Sequence, residues 1–230
     1  MMYWNETDQS DAVGVTDEVV DLVFALDCRQ VPVDHAYTLA AALLRVCPWM
    51  TEEPLLAIHN IQVAGSQNGW ERPAHGTANR LEVSRRTKLK VRAPRERVPE
   101  LLATLPGTRL DVGNCPVTLG AGKVKLLSQE STLFARYLVA ETATPDEHGF
   151  LEEMARALAA IDILVRKALC GKTSVLATPR GEILARSLLL ADLSAAESLR
   201  LQQHGLGPHR LLGCGIFIPH KGIDAVISTG

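Results

Sequence analysis

The sequence predicts an α+β fold built from two successive ferredoxin-like (RRM-like) units, each with the order β-α-β-β-α-β and an antiparallel sheet. Three observations support this prediction. Short apolar strand segments and amphipathic helical segments follow one another in this order twice along the 230 residues. No helical segment is long enough for a helix bundle. The chain also has too few β-α alternations for a doubly wound parallel sheet.

The first predicted unit covers residues 17–128. It opens with a buried apolar strand, and a helix follows in which Asp34 is the predicted N-cap and apolar residues recur at helical spacing. A polar loop at 65–76, which holds Trp70, separates the next two strands. The predicted strands and helices of this unit lie, in order, at 19–28, 36–47, 56–63, 81–92, 98–105 and 108–127.

The second predicted unit covers residues 129–230, and residues 1–16 are predicted to form an acidic flexible tail. A capping box at 144–147 opens its first helix, and a second box, formed by Ser194 and Glu197, opens its last helix. The predicted elements are, in order, a strand at 133–140, a helix after 147, a hairpin at 174–191 that turns at 179–181, a helix ending at Gly205 and a strand at 215–218.

Composition limits the possible function classes. The net charge is −2, and the five cysteines show no C-x-x-C spacing, which is typical of reduced thiols in a reducing compartment. No signal peptide and no apolar run of membrane length are present. No His, Cys or Asp cluster has the spacing of a metal site. We therefore expect a cytoplasmic protein that needs no metal and no cofactor.

The segment 205–215, called here the glycine-rich loop, is the most informative stretch of the chain. It follows a helix and precedes a strand, which is the reverse of the dinucleotide fingerprint. No Asp or Glu occurs between positions 198 and 223, so Arg and Lys dominate the charge. Glycine backbone N–H groups beside such cations suit a phosphate chain, whereas a simple helix C-cap is the alternative interpretation. The residues predicted to bind a polyanion here are Gly205, Gly207, His209, Arg210, Gly213, Gly215 and Lys221.

Alternation along the predicted strand 81–92 places basic side chains on one face and apolar or neutral side chains on the other. We expect the four basic residues to contact phosphates, although an ordinary solvated face is the alternative. Lys172 and Arg180, on the predicted hairpin, are further candidates for an RNA stem. Aromatic residues make up only 4% of the chain, which favours recognition of backbone and shape over base stacking. The basic face consists of Arg86, Lys88, Lys90 and Arg92.

The glycine-rich loop also resembles a known signature. Residues 203–216, QHGLGPHRLLGCGI, are similar to the G-[IL]-G-x-x-[KR]-x-x-G-C-G motif of the repeat-RNA-processing endoribonucleases, the Cas6 family of the RAMP superfamily of CRISPR proteins. The resemblance implies a metal-independent endoribonuclease that binds the stem-loop of CRISPR repeat RNA and cleaves it by attack of a 2′-OH. It further implies that the protein stays on the mature guide RNA, with other CRISPR effector-complex subunits as possible partners.

Two histidines are candidates for acid/base catalysis, since imidazole titrates near neutral pH. The resemblance implies a catalytic histidine on or near the first helix, where His35 lies. In some relatives this histidine lies further along the helix, near the position of Ala40, where the present chain has none. His59 is therefore the second candidate. The alternatives are an exposed helix-start residue without a task for His35 and a strand histidine bonded to the backbone for His59.

Two other functions remain open at the level of sequence. The chain could be a non-catalytic RNA-binding subunit of a CRISPR effector complex, with the same fold and loop but without a working histidine. It could also be an RNA-binding protein outside CRISPR systems. Metal-free cleavage of a hairpin repeat distinguishes the endoribonuclease from both of these functions.

Overall fold

The computed structural model describes residues 18–63, 79–141 and 146–220. The predicted tail at 1–16, the loop with Trp70, the start of the capping box at 144–147, and Lys221 lie outside the described residues. No helix in the described ranges is both long enough and apolar enough to cross a membrane.

The first unit pairs five strands in one antiparallel sheet, in the order β3-β5-β1-β7-β6, and β2 pairs with β4 beside it. Both helices of the unit pack on one face of this sheet, where Leu22 and Phe24 of β1 meet Leu43 and Leu101 in the core. The elements are β1 (Val19–Asp27), β2 (Gln30–Pro32), α1 (Ala36–Val46), β3 (Ala57–Ile58), β4 (Arg80–Glu82), β5 (Lys88–Pro94), α2 (Val98–Thr104), β6 (Arg109–Asp111) and β7 (Pro116–Lys125).

The second unit has four strands in the order β11-β8-β10-β9, again antiparallel throughout. Its core joins Leu133 of β8 to Phe150 and Met154 of α3 and to Leu201 of α4. The elements are β8 (Leu133–Leu138), α3 (Glu147–Ala159), β9 (Lys167–Thr178), β10 (Gly181–Ala191), α4 (Ala195–His204) and β11 (Phe217–Pro219).

Both sheets place the first strand of the unit in a central position. β1 lies between β5 and β7, and β8 lies between β10 and β11, so in each unit the first strand is flanked by the strand before the last helix and by a strand that follows that helix. The prediction of an α+β protein with antiparallel sheets is confirmed.

Several element boundaries differ from the prediction, each for a local reason. The predicted strand 81–92 is interrupted by a turn in which the N–H groups of Ser84 and Arg86 bond to side-chain oxygens of Thr87 and Ser84. The N-cap of α1 is His35 rather than Asp34, and it makes no side-chain cap hydrogen bond.

The last helix begins where the sequence predicts. The Ser194 hydroxyl accepts the N–H of Glu197 at 3.3 Å, and the Glu197 carboxylate accepts the N–H of Ser194 at 2.8 Å. This reciprocal pair is the capping box. Gly205 ends the same helix with φ of 66°.

Candidate nucleic-acid interface

Arg92 lies at the contact between the two units. Its side chain is only 1% exposed, and its cross-strand partner on β1 is Asp21. Arg92 Nε donates to Asp21 Oδ1 at 2.8 Å, and Nη2 donates to Oδ2 at 3.2 Å. Its Nη1 then reaches the second unit and donates to the carbonyls of Gln202, at 2.8 Å, and Phe217, at 3.0 Å.

Arg210 completes the same contact from the other side. Its guanidinium donates to the carbonyls of Gln203, at 3.0 Å, and His204, and also to the carbonyl of Leu55 in the first unit, at 3.1 Å. Two guanidinium groups thus bind three successive carbonyls, at 202–204, in the last turn of α4. A helix leaves the carbonyls of its last turn unpaired and carries partial negative charge at this end. Arg92, Arg210 and Asp21 are called here the arginine clamp.

The clamp corrects two predictions. Arg92 was predicted to contact RNA, but its guanidinium is buried and each of its three nitrogens donates a hydrogen bond inside the protein. Arg210 was predicted to serve the glycine-rich loop as a phosphate ligand, but both of its Nη atoms donate to protein carbonyls. Sequence reasoning missed Asp21 altogether. The available signal was a single acid in the interior of apolar β1 and a base near the apolar end of β5, because a lone charge in a buried strand is normally paired.

The pKa of Asp21 reflects the clamp. Burial alone would raise the pKa of this carboxyl group, but the charge of Arg92, the interaction with His59 and the hydrogen bonds from Arg92 outweigh burial and hold the pKa well below its ordinary value. Asp21 therefore stays ionised in the folded protein at pH values at which an ordinary carboxyl group is already protonated.

His59 is buried beside Asp21. Its Nε2 lies 3.5 Å from Asp21 Oδ1, a distance that is long for a hydrogen bond, so we treat the contact as electrostatic. Burial, together with the charges of Arg92 and Lys90, lowers the pKa of His59, whereas Asp21 raises it. The combined effect leaves the pKa of His59 below its ordinary value. His59 is neutral at pH 7, as a proton-accepting base must be, but its ring is only 7% exposed.

His35 is 3% exposed, and both of its ring nitrogens make hydrogen bonds inside the protein. Nδ1 lies 2.9 Å from the carbonyl of Pro32, and Nε2 accepts the N–H of Ile61 at 2.9 Å. Because the carbonyl oxygen of Pro32 can only accept a hydrogen bond, we assign the ring proton of His35 to Nδ1. In this conformation the ring ties the start of α1 to the segment after β3 and presents neither nitrogen to a substrate.

Both histidines nevertheless line a cavity of about 450 Å³ between the units. The first unit adds the amides of Asn60 and Gln62 to its wall. The second unit adds Phe134, Arg136 and Tyr137 from β8, and the Arg136 guanidinium lies 5.6 Å from the Tyr137 ring centroid.

Lysines on the two strands that flank β1 share the sheet face that carries Asp21. Val23 of β1 has Lys90 as its partner on one side and Lys123 on the other, and Asp21 has Lys125. Burial lowers the pKa of Lys90; Asp21 opposes this shift, and Lys125 and Arg92 add to it. The lysine face is defined here as Lys88, Lys90, Lys123 and Lys125.

The lysine face contains two predicted residues and two that were missed. Lys88 and Lys90 lie where alternation placed them, half-buried, whereas Lys123 and Lys125 are exposed on β7. Alternation at 122–125 was the signal for the missed pair. Arg86 is exposed, but it belongs to the turn before β5 rather than to the strand.

Lys172 and Arg180 are exposed on the β9–β10 hairpin, as predicted; Lys172 lies on β9 and Arg180 in the two-residue turn after it. Their contact with RNA stays a prediction. The hairpin strands are longer than predicted, since β9 begins at residue 167 rather than 174.

The glycine-rich loop packs mainly against the protein itself. The N–H groups of Gly205, Gly213 and Gly215 donate to the carbonyls of residues 201, 210 and 137, so these amides do not form the phosphate cradle that the sequence suggested. A Cβ at Gly213 would lie 2.6 Å from the amide nitrogen of Asn60, and one at Gly207 would lie 2.6 Å from the carbonyl oxygen of Val139. The glycines let the loop approach both units closely.

A second groove, of about 470 Å³, runs between α1 and the glycine-rich loop and is called here the α1–loop groove. Tyr37 and Leu44 of α1 form one wall, and Gly207 and His209 belong to the opposite wall. Tyr37 is 40% exposed, and His209 is exposed as well. His209 keeps its predicted place on the surface of the loop.

No group of three or more His, Cys, Asp or Glu side chains within 18–63, 79–141 and 146–220 is arranged to hold a metal ion.

Comparison with known proteins identifies similar sequences. The sequence profile of a family described as Cas6 Crispr matches residues 20–222. The CRISPR-associated endonuclease Cas6 of Myxococcus xanthus strain DK1622 is 32% identical over 211 residues, which cover 92% of this chain and 86% of that protein.

Solved structures show the same fold. A CRISPR-associated protein Cas6 aligns with a TM-score of 0.63 and 14% identity over 89% of this chain and 100% of that one. A Cas6-related protein from Pyrococcus furiosus aligns with a TM-score of 0.62 and 13% identity, over 86% and 97% of the two chains. A RAMP protein that binds different RNA substrates aligns with a TM-score of 0.62 and 12% identity, over 86% and 98%.

Proposed function

This chain belongs to the Cas6 family of CRISPR proteins, and from that premise we propose that it is an endoribonuclease that binds and cleaves CRISPR repeat RNA to produce guide RNA. The lysine face is the observation that carries the proposal beyond family membership. Four cations on two strands, with the nearby carboxylate of Asp21 already neutralised by Arg92, form a surface suited to a polyanion.

We infer that the two units are tandem ferredoxin-like domains divided at residues 128 and 129. Contacts from Lys88 and Lys90, and from Lys172 and Arg180 on the hairpin, would hold the phosphates of an RNA stem-loop. Such contacts position the RNA without reading its bases. We further propose that the protein stays on the mature guide RNA through the same contacts, with other CRISPR effector-complex subunits as possible partners.

The proposed reaction is metal-independent and balances within the RNA. A 2′-oxygen attacks the adjacent phosphorus, the bond from phosphorus to the 5′-oxygen breaks, and one proton moves from the 2′-OH to the leaving oxygen through protein groups. The products are a 2′,3′-cyclic phosphate and a 5′-hydroxyl. His35 and His59 remain candidates for proton transfer. His35 would first have to release an internal hydrogen bond, and His59 would have to become accessible.

Cleavage of the cognate repeat RNA in excess EDTA tests the proposal. We expect a single cut with a cyclic phosphate on one product and a 5′-hydroxyl on the other. A matched RNA with a 2′-deoxynucleotide on the 5′ side of the cut should bind equally and stay intact. Strict dependence on Mg²⁺, or cleavage of the deoxy substrate, would contradict the mechanism.

The second candidate function is a non-catalytic RNA-binding subunit. The internal hydrogen bonds of His35 and the burial of His59 favour it, because neither ring presents a nitrogen to solvent. This function predicts tight binding of the same RNA without any cleavage.

A further inference from the structure

We propose that Arg92 is a positioning residue for the cleavage of RNA. Its buried guanidinium holds both ends of the glycine-rich loop beside the lysine face, so that one RNA molecule can contact the two surfaces together. This inference rests on the proposed function. It gives a role in the reaction to a side chain that is buried and therefore acts through the loop rather than by touching the RNA.

The backbone of the glycine-rich loop depends on its anchors. All four glycines of the loop have positive φ, and so does His209. The N–H of Leu206 donates to the carbonyl of Gly215 at 3.1 Å, which joins the beginning of the loop to its end. A backbone rich in glycine has many accessible conformations. The place of this loop relative to the first unit is therefore set by the residues that hold its two ends.

Arg92 holds both ends with a single atom. Its Nη1 donates to the carbonyl of Gln202, just before the loop, at 2.8 Å and to the carbonyl of Phe217, just after the loop, at 3.0 Å. Both acceptors belong to the second unit, whereas Arg92 belongs to β5 of the first unit. The guanidinium thus closes the base of the loop and at the same time fixes that base to the first sheet.

Asp21 fixes the direction in which Arg92 points. Its carboxylate accepts from Nε at 2.8 Å and from Nη2 at 3.2 Å, and such a bidentate pair holds the plane of a guanidinium. The remaining nitrogen, Nη1, is thereby directed at the second unit. A lysine has only one terminal nitrogen, so it cannot bond to both carboxylate oxygens and also reach both carbonyls. The arrangement therefore requires arginine at position 92.

A buried network holds the Gln202 end of the loop from the other side. Gln202 Nε2 donates to the carbonyls of Ser128 and Ser198, and its Oε1 accepts the N–H of Ser128 at 3.3 Å. Ser128 lies at the junction of the two units, and Ser198 lies on α4. Arg92 therefore donates to a carbonyl whose position is already restricted by the junction.

The strand that carries Arg92 also carries proposed RNA contacts. Lys90 lies two residues before Arg92 on the same face of β5, so the two Cα atoms are about 7 Å apart. Lys125 is the β7 partner of Asp21. RNA bound by these lysines therefore passes close to the base of the loop. A shift of the loop relative to β5 would change the geometry in which the bound RNA meets it.

The double variant Asp21→Asn, Arg92→Met separates positioning from stability. It removes both members of the charge pair, so its stability should exceed that of Arg92→Met alone, but it lacks the donor for both carbonyls. With protein in saturating excess over repeat RNA, we expect its single-turnover rate constant to remain about tenfold or more below the wild type, because a small misplacement can slow a reaction by up to about 100-fold. RNA affinity should change by less than about threefold, since the lysine face is intact.

Two further variants complete the experiment. Arg92→Lys keeps a positive charge opposite Asp21 and should also be slow, because one ammonium group cannot replace the guanidinium. Leu101→Ala is the control for stability, since Leu101 is fully buried in the core on the other face of the same sheet. Its rate constant should equal that of the wild type, because partial unfolding reduces the amount of active protein and saturating protein compensates for that loss.

Hydrogen exchange measures the loop without any reaction. The N–H groups of Leu206 and Gly215 bond to the carbonyls of Gly215 and Tyr137. In the double variant both N–H groups should exchange faster than in the wild type, whereas in Leu101→Ala they should change only as much as the other amides of the second unit. Unchanged exchange at both positions in the double variant would contradict the placement of the loop by Arg92.

The outcomes separate the two proposals. A wild-type protein that binds repeat RNA but never cuts it would overturn both the proposed function and this inference. A wild-type rate constant in the double variant, or an equally low one in Leu101→Ala, would overturn this inference alone and leave Arg92 with a purely structural role. A salt slope of RNA binding that falls by about one unit in Arg92→Met would also overturn it, because Arg92 would then contact a phosphate itself.

Discussion

The two ends of the outward face of β5 carry the same kind of residue and serve opposite purposes. Lys88 and Lys90 are half-buried at one end, with Lys123 across β1 from Lys90, whereas Arg92 at the other end is 1% exposed. Lys88, Lys90 and Arg92 follow one another at intervals of two residues, so all three belong to the same face of β5. Only what packs above them differs, since the last turn of α4 and β11 cover Arg92.

This difference shows that alternation on a strand identifies a face but not its environment. A basic residue on an uncovered face can bind phosphate. The same residue under a neighbouring unit must find partners inside the protein, because an unpaired buried charge is very costly. Variants at the two ends of β5 test whether the residues there differ as much in their contribution to the free energy of unfolding as they do in burial.

The largest effect is expected from Arg92→Met, which leaves the buried carboxylate of Asp21 without its partner. Such a loss lowers the free energy of unfolding by about 3–5 kcal/mol. Urea unfolding followed by circular dichroism measures it. The double variant Asp21→Asn, Arg92→Met should recover part of the loss, and a single-variant loss below about 1 kcal/mol would mean that the clamp is equivalent to a surface ion pair.

The next effect concerns the approach of the loop to the first unit. Gly213→Ala adds a Cβ that meets the Asn60 amide, while Gly107→Ala, at a similar φ of +80°, meets nothing within 4 Å. Both variants should lose about 1 kcal/mol from the backbone alone, and Gly213→Ala should lose about 1–3 kcal/mol more from overpacking. Thermal unfolding compares the pair, and equal losses would show that the contact with Asn60 tolerates a methyl group.

At the exposed end of β5, the double variant Lys88→Gln, Lys90→Gln should affect binding rather than folding. The plot of log affinity for repeat RNA against log salt should lose about 2 units of slope, roughly 0.9 for each lost phosphate contact. The free energy of unfolding should stay within about 0.5 kcal/mol of the wild type.

Arg156→Gln, on the exposed side of α3, is the matched control for the lysine variant and should leave the salt slope unchanged. Parallel plots with equal affinities for all three proteins would remove the lysine face from the RNA interface.

The smallest effect comes from a buried charge away from the clamp. Burial alone raises the pKa of Glu197, but hydrogen bonds from Arg166, Ser194 and Leu164 lower it to about 2. Because the pKa is depressed in the folded state, the stabilisation is present above the ordinary value of 4.5 and is lost as the pH falls towards 2. Glu197→Gln should flatten the decrease of unfolding free energy in this interval, and an unchanged pH profile would contradict the assignment.

Much of the architecture could be predicted from local pattern. A continuous apolar segment predicts β1, alternation predicts β5, and the Ser194–Glu197 box predicts the start of α4, because these signals depend on neighbours in the chain. The turn at 84–87 was missed because its stabilising bonds come from the hydroxyls of Ser84 and Thr87, a weak signal within a strand-like segment.

The candidate site was less predictable, since its residues acquire their roles from distant partners. Nothing local indicates that His35 would bond to Ile61, or that Arg92 would meet Gln202, 110 positions away. The glycine signature was located correctly, but its contacts with Asn60 and Val139 depend on how the units dock. How the units dock also determines that Lys88 is half-buried whereas Arg92 is fully buried.

The capping of α4 by arginines from 92 and 210 has a consequence for synthesis on the ribosome. A chain grows from its N-terminus, so β1 and β5, with the Asp21–Arg92 pair, emerge before α4. When α4 forms, the donor for its Gln202 carbonyl is already in place on a finished sheet. The first unit thereby acts as a template for the last helix, and a ribosome stalled once residue 125 has left its exit tunnel should carry a sheet able to fold before the second unit has emerged.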